Sequence, residues 1–275
     1  NDKIGSDRFL YLPDSYTLDA QGYNFGTNVP TDQPGAAEGQ IGNPFVTWET
    51  ATKQNYGIDL NLFRGKLGMS FDYFREYRKD ILTKRQTVPG YLAIDLPAVN
   101  IGEVRNQGYE VELKWRQKIS QDIRYWINFN TSHAANEIVF MDEVEQPEPY
   151  LYRTGHPVNQ FFGYVFEGFY DESADNSELP DHLYELKPGD MTYRDLNDDD
   201  VINQLDQRAV GYTAYPQYVF GLNLGLNIKD FDISLYIAGA THTSRMLDET
   251  YRKAFGNTLD RSLMQYMADG AWTPE

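Results

Sequence analysis

The stretch Phe220-Gly221-Leu222-Asn223-Leu224-Gly225-Leu226-Asn227-Ile228 decides the fold. Large apolar residues occupy every second position, and glycine or asparagine fills each place between them. That period belongs to a β-strand, whose successive side chains point to opposite faces. A turn at Lys229-Asp230 follows, and Phe231-Asp232-Ile233-Ser234-Leu235-Tyr236-Ile237 returns with the same alternation. Two alternating runs joined by a two-residue turn read as a hairpin.

The pattern recurs upstream. Tyr56-Gly57-Ile58-Asp59-Leu60-Asn61-Leu62 turns around Arg64-Gly65-Lys66 into Leu67-Gly68-Met69-Ser70-Phe71-Asp72-Tyr73. Tyr109-Glu110-Val111-Glu112-Leu113-Lys114-Trp115 turns near Ser120-Gln121-Asp122 into Ile123-Arg124-Tyr125-Trp126-Ile127-Asn128-Phe129-Asn130. Six strands are predicted, each of about 9–11 residues or more against a usual mode of about 5–6. Strands that cross a bilayer at a tilt need about 9–11. One face is nearly all Leu, Ile, Val, Phe, Tyr and Met, and the other carries Asp, Glu, Lys, Asn, Ser and Gly. A lipid-facing outside and a wet lumen require this division, although a soluble antiparallel sheet with one buried face satisfies it too.

The connections separate the two readings. Links within each strand pair are short, whereas those between pairs cover roughly residues 83–107 and 139–216. Short turns on one rim and long loops on the other are the asymmetry of outer-membrane barrels. Soluble domains seldom keep structureless links beyond about 12–15 residues. Gln160 to Tyr170 also looks strand-like, but one lone crossing there would bring the next strand in from the wrong side. The expected organisation is a loop region at 1–52, barrel strands over 53–138 interrupted by the loop 83–107, a loop excursion at 139–216, a barrel hairpin at 217–240, and a loop with short helices at 241–275. The fold class is all-β, an antiparallel transmembrane β-barrel segment with long extracellular loops. Six strands cannot close a wide channel, so the barrel is incomplete.

Composition sets the outer limits. The 275 residues include 41 acidic and 24 basic side chains, a net charge of −17, which argues against a nucleic-acid surface. There is no cysteine, which removes disulfides, thiolate metal sites and a Cys nucleophile. No apolar run is long enough for a transmembrane helix. Mean hydropathy is −0.59, as expected if each apolar residue is followed by a polar one. The aromatic share is 15%, led by 21 Tyr, an excess that suits a membrane-interface girdle. Asn1-Asp2-Lys3-Ile4 is not the start of a signal peptide. The last residues do not read as a finished terminus, so a piece of a longer protein is expected.

Four further segments stand out: Asn43-Pro44-Phe45-Val46-Thr47-Trp48-Glu49, Asn100-Ile101-Gly102-Glu103-Val104-Arg105-Asn106-Gln107-Gly108-Tyr109-Glu110, Pro188-Gly189-Asp190-Met191-Thr192-Tyr193-Arg194-Asp195-Leu196-Asn197 and Trp272-Thr273-Pro274-Glu275. Together they resemble the C-terminal barrel half of the SusC/RagA family of TonB-linked outer-membrane transporters. The first looks like the family's N-P-x-x-x-W-E segment and the second its N-x-G-x-x-x-N-x-G-x-E signature. The third resembles its most recognisable stretch, and the last looks like a segment preceding further strands. The resemblance implies import of an oligosaccharide or peptide, a SusD-like surface lipoprotein as partner, and energy from TonB through a plug with no counterpart here. It also implies residence in the outer membrane of a Bacteroidetes-like Gram-negative bacterium. Lumen-facing candidates are Asp59, Asp72, Glu110, Glu112, Lys114, Trp126 and Asn128. Which residues bind substrate is not readable.

One motif stands apart. Asp195-Leu196-Asn197-Asp198-Asp199-Asp200-Val201-Ile202-Asn203-Gln204-Leu205-Asp206 spaces oxygens as an EF-hand does. Asp195, Asn197, Asp199 and Asp206 fall at positions 1, 3, 5 and 12, and Val201 offers its carbonyl at 7. Asp200 stands where the motif wants glycine, and Asp206 is shorter than the usual Glu. The readings are a structural Ca²⁺ site or a solvated acidic turn closed by Asx hydrogen bonds. His133, His156, His182 and His242 lack ligand spacing. Gly221, Gly225 and Gly239 fit crowded or bent strands better than a phosphate cradle. No catalytic residue emerges. The competing functions are a soluble β-sandwich that binds carbohydrate through exposed Tyr and Trp, and a glycoside hydrolase, for which nothing selects a carboxylate pair.

Overall fold

A computed structural model describes residues 10–12, 17–18, 35–37, 41–87, 96–174, 176, 179–247, 251, 263–271 and 273. The strands are β1 (Thr17–Leu18), β2 (Ala36–Ala37), β3 (Thr50–Leu62), β4 (Leu67–Thr83), β5 (Val99–Lys118), β6 (Ile123–Phe140), β7 (Phe162–Gly163), β8 (Phe166–Phe169), β9 (Met191–Tyr193), β10 (Arg208–Ala209), β11 (Tyr218–Ile228) and β12 (Phe231–Thr241). A short α-helix, α1, covers Gln265–Asp269. Short helices were expected in the loop 241–275, of which 248–250, 252–262, 272 and 274–275 lie outside the described residues.

Six strands form one sheet in the order β12-β11-β6-β5-β4-β3. These are the six alternating segments of the sequence. All six extend past the alternating runs, and β5 reaches 20 residues. It starts at Val99, so the connection after β4 covers 84–98 rather than the expected 83–107. The early part of β5, Asn100 to Gln107, is mostly polar on both faces, and a period-2 hydropathy signal has nothing to register there. Between β6 and β11, the pairs β8-β9 and β10-β7 make two small sheets of their own, and neither joins the six-stranded one. The strand-like run 160–170 is thus split between β7 and β8.

Register fixes the two faces. Along β11, Leu222, Leu224 and Leu226 pair with Phe129, Ile127 and Tyr125 of β6 on one side, and with Ile237, Leu235 and Ile233 of β12 on the other. The intervening Gly221, Asn223, Gly225 and Asn227 pair with Asn130, Asn128, Trp126 and Arg124, and with Ala238, Tyr236, Ser234 and Asp232. One face is therefore a continuous apolar band and the other is polar with an inset indole. Ile202 is the single buried apolar side chain among the described residues, while Leu235, Ile233 and Phe231 are more than half exposed. A β-sandwich would bury this band against a second sheet, which the described residues do not supply. The soluble-sandwich expectation fails on that point.

The short turns are built for tight reversal. Phe63, Arg64 and Gly65 all have positive φ between β3 and β4, and Lys229 has φ 50° between β11 and β12. A φ in that range is what narrow hairpin turns demand.

The chain divides into two compact units. One comprises 1–56, 73–107 and 136–145, and the other 57–72, 108–135 and 146–275. In the first, the Asn43 and Asn100 segments meet. The Asn43 side chain donates to the Ala98 carbonyl at 2.9 Å. Asn100 accepts from the Thr47 N–H at 2.9 Å and donates to the carbonyls of Thr47 and Asp80. An asparagine here acts as an extra length of backbone. Gly102 is required beside it, because a Cβ there would lie 3.2 Å from the Ile81 carbonyl oxygen. Arg78 then bridges Glu49 and Glu76, and Lys53 reaches Glu76 at 3.4 Å.

Candidate functional site

Both candidate regions lie in the second unit. The first is the polar face of the sheet. A Cβ on Gly57 would approach the Asp72 carboxylate, and Gly68 lies beside Asn61 and Lys114. Alternation then puts Asp59 on the same face as Asp72 and Lys114. Ser70, Asp72, Glu110, Glu112, Asn130 and Ser132 line one open depression. Arg116, Lys118, Arg124, Trp126, Asn128 and Asn227 line another. The sequence-derived lumen candidates thus fall together, Asp59 by alternation, Lys114 through its 2.6 Å ion pair with Glu112 and the rest at a depression. What sequence reasoning missed is the basic group of Arg116, Lys118 and Arg124. These residues come from two strands flanking the Ile119–Asp122 turn, and only strand pairing brings them together.

Trp126 is held by its neighbour strand. A Cβ at Gly225 would fall 1.9 Å from the Trp126 ring atom Cζ2, so the indole lies directly over this glycine. Only a residue without a side chain leaves that surface free. Two residues along, Asn128 Oδ1 is buried and has no hydrogen-bond donor.

The apolar face carries aromatic groups towards each end. Near the short turns, the Trp115 indole N–H donates to the Tyr125 hydroxyl at 3.0 Å, with Phe63 packed edge-on against Trp115. Towards the other end, His133 lies between the rings of Tyr109 and Tyr218, and His242 contacts Tyr218 and Tyr212. Ile123 and His133 are ten residues apart on β6, or about 33 Å of strand at a rise of ~3.3 Å. A tilt of about 40° turns that into the ~25 Å apolar height of outer-membrane barrels, bordered by aromatic rings on both sides.

These two faces, the open sheet and the aromatic borders describe a piece of barrel wall, and the sequence matches the family described as TonB dependent receptor-like, beta-barrel over residues 11–240. The chain belongs to the TonB-dependent receptor-like β-barrel family. It is 29% identical to TonB-dependent receptor P3 of Formosa agariphila over 210 residues, covering 70% of this chain and 20% of that protein. It is 24% identical to TonB-dependent receptor SusC of Bacteroides thetaiotaomicron over 271 residues, covering 91% of this chain and 25% of SusC. Its fold matches a structure of the RagAB peptide importer in the open-open state with a TM-score of 0.59 at 17% identity, over 82% of this chain and 24% of that one. The chain thus spans a fifth to a quarter of the length of these relatives. TonB-dependent receptors of this type are outer-membrane proteins of Gram-negative bacteria, which agrees with the expected location. Barrels of this kind turn an apolar face to lipid and a polar face to the lumen.

The second region is the acidic loop. Pro188-Gly189-Asp190 makes the turn before it, with Gly189 at φ 90° and the Asp190 carboxylate accepting from the Lys187 N–H at 2.8 Å. Asp195 accepts from the N–H groups of Asn197, Asp198 and Asp200. Burial pushes its carboxyl up, but the backbone donors of Asp200, Asp198, Asp199 and Asn197 outweigh this and hold it below the ordinary aspartate value. Asp199 accepts from the Val201 N–H at 3.0 Å and the Asn197 amide at 2.8 Å. The Val201 carbonyl accepts from Asn203. Asp206 is fully buried and turns inward, accepting from Leu196 N–H at 2.8 Å and Asn203 N–H at 2.7 Å. The Asn197 donor bond to Asp199 fixes which end of its amide is oxygen, and that oxygen, Oδ1, is buried without a donor. Nearby, the Tyr150 hydroxyl is also buried and unpartnered. Burial and the charges of Glu148, Asp206, Asp195 and Asp199 push its pKa up. Among the described residues, no three His, Cys, Asp or Glu side chains converge as a metal cluster.

Asp206 is the clamp of this loop. Asp206→Ala strands two N–H groups that now donate to a carboxylate, each such bond being worth about 1.5–3 kcal/mol. Hydrogen exchange at Leu196 and Asn203 is expected to speed up by two orders of magnitude or more (about 3 kcal/mol), with the β11–β12 hairpin unaffected. Asp195 gives the pH dependence. Its folded pKa is depressed, so its contribution is present above the ordinary aspartate value and is lost as pH falls through the lower folded value. Protease resistance of the loop should therefore persist throughout the mildly acidic range and fail only below the usual aspartate titration.

Proposed function

We propose that this chain is part of the wall of a TonB-dependent importer, and that its polar face lines the path or chamber of an oligosaccharide or peptide cargo. The long excursions between β4 and β5 and between β6 and β11 lie on the extracellular rim, where a SusD-like lipoprotein would dock. TonB would supply energy through a plug carried elsewhere in the protein. The observation that carries this reading is the register of β6, β11 and β12, which sorts every Leu and Ile of β11 to one face and every Gly and Asn to the other. The match to RagAB supports a peptide among the cargoes, and the SusC relationship supports an uptake receptor.

The absence of cysteine from this stretch provides the test. Single cysteines are placed in the complete transporter at Asn223 and Ser234 on the polar face, and at Leu224 and Leu235 on the apolar face. Outer-membrane vesicles are then treated with a water-soluble maleimide. Labelling of the first pair and protection of the second is expected. Equal labelling of all four would sink the barrel reading. Growth on defined oligosaccharides or peptides as sole nutrient, with and without the gene, identifies the cargo.

A second reading concerns the acidic loop, which we infer stiffens around Ca²⁺ held by Asp195, Asn197, Asp199 and the Val201 carbonyl, while Asp206 serves as the inner clamp. The buried, donorless Asn197 Oδ1 supports it, since a hard cation supplies what that oxygen lacks. Calorimetric titration should show binding at about 10⁻⁴–10⁻³ M, the range of extracellular modules, and Asp199→Ala should abolish it. A flat titration, or identical heats from the variant, ends the proposal.

A further inference from the structure

We propose that Arg75 and Lys79, on the outward face of β4, seat the phosphate of an outer-leaflet lipid headgroup. The proposal rests on the barrel reading above and assigns a membrane lipid to one place on the wall.

Strand parity puts the two cations outside. Along β4 the outward positions read Leu67, Met69, Phe71 and Tyr73, and the same series continues through Arg75, Tyr77 and Lys79. Glu76 and Arg78, which alternate with them, pair with each other, and Glu76 also meets Lys53. The outward face thus changes from apolar to cationic along a single strand.

Height is the second argument. Ile123 and His133, which bracket the apolar band on β6, are ten residues apart. The same count from Leu67, where β4 leaves its short turn, ends at Tyr77. Arg75 and Lys79 lie two residues to either side of Tyr77, each about 6.6 Å of strand away at a rise of ~3.3 Å. A strand tilt of about 40° reduces that to ~5 Å of height. Long basic side chains span such a distance by snorkelling. Both cations therefore reach the level of Tyr77, where hydrocarbon gives way to headgroups.

Charge is the third. Arg75 and Lys79 are exposed, and neither forms an ion pair with a described residue. The carboxylates on the same face are already engaged. Glu103 accepts from the Tyr77 hydroxyl, and Glu137 holds Arg105 at 2.5 Å. Arg75 starts inside the lipid-facing band, in a chain of net charge −17. A cation there needs an anion or water at the end of its reach. A phosphate suits this pair, because the guanidinium grips two of its oxygens with parallel N–H donors and the ammonium adds a point charge. A phosphate held at the edge of the hydrocarbon belongs to a lipid, since a free ion has no hold at that depth.

The test is native mass spectrometry of the complete transporter, purified in mild detergent and stripped of lipid. The probes are phosphorylated lipid A and the same lipid dephosphorylated. The phosphorylated form should bind and the dephosphorylated form should bind far more weakly. Arg75→Gln with Lys79→Gln should weaken binding about thirtyfold, the equivalent of ~2 kcal/mol. Arg75→Lys with Lys79→Arg should keep it, and so should Lys53→Gln on the other face. Equal binding of the two lipids, or of wild type and the double Gln variant, overturns the seat. Displacement by equimolar inorganic phosphate overturns the lipid as its occupant. A heat-resistant band in unboiled gels confirms that each variant folds. If the double Gln variant lacks it, Lys79→Gln alone should weaken binding about fivefold, as one cation at an anionic membrane surface does, and no loss there overturns the seat. The maleimide pattern at Asn223, Ser234, Leu224 and Leu235 is read in the same transporter. Equal labelling of all four ends the barrel reading and the seat with it. The expected labelling without phosphate-dependent binding ends the seat alone.

Discussion

Leu224→Arg is expected to destabilise the complete barrel by about 2–4 kcal/mol, the cost of a basic side chain on the lipid face near the bilayer midplane. Its neighbour Asn223→Arg should stay within about 0.5 kcal/mol. The two positions are adjacent in sequence, share the same strand, and pair with the same two strands. Leu224 faces Ile127 and Leu235, and Asn223 faces Asn128 and Tyr236. Leu224 also sits near the middle of the apolar band, where snorkelling to either interface is longest. Urea midpoints of the transporter refolded in lipid bilayers measure the difference. A soluble protein with the apolar face buried in a core would also lose stability on Leu224→Arg, but it would fold in plain buffer without lipid. Equal costs at both positions would contradict the two-faced wall altogether.

Much of this wall was legible in the sequence because period-2 alternation reports a face directly and short turns fix register. Asp72, Glu110, Glu112, Trp126 and Asn128 could be placed on one face from parity alone. Register across strands was not legible, and so the basic group of Arg116, Lys118 and Arg124 stayed hidden in two separate segments. Parity also says nothing where both faces are polar. The start of β5 at Asn100 and the ion pairs of Arg78 with Glu49 and Glu76 are therefore readable only in the fold. In the acidic loop, spacing showed which oxygens are near one another but not where they point. Asp206 and Asp199 occupy comparable places in the motif, yet Asp206 is wholly buried against backbone N–H groups and Asp199 is exposed.

Gly225→Ala gives the other large expected effect, and its sign is informative. Gly225 has no positive φ among the glycines that do, so alanine suits the backbone. Replacing glycine at a compatible site normally stabilises by about 0.4–1 kcal/mol, through the unfolded chain. Here the added methyl would fall 1.9 Å from Cζ2 and 2.0 Å from Cε2 of Trp126, so the indole has to leave. Overpacking of this kind costs about 1–3 kcal/mol, and a net loss is expected. Trp126→Ala removes the obstacle, so Gly225→Ala made in that background should recover the ordinary gain. The coupling between the two changes should then lie within the ~0.5–3 kcal/mol found for residues in contact. Gly239 offers the control on the opposite face, where a Cβ would lie 2.3 Å from Cζ of Phe220. There the close atom is the tip of a ring that can swing outward into lipid, so Gly239→Ala should cost less than Gly225→Ala.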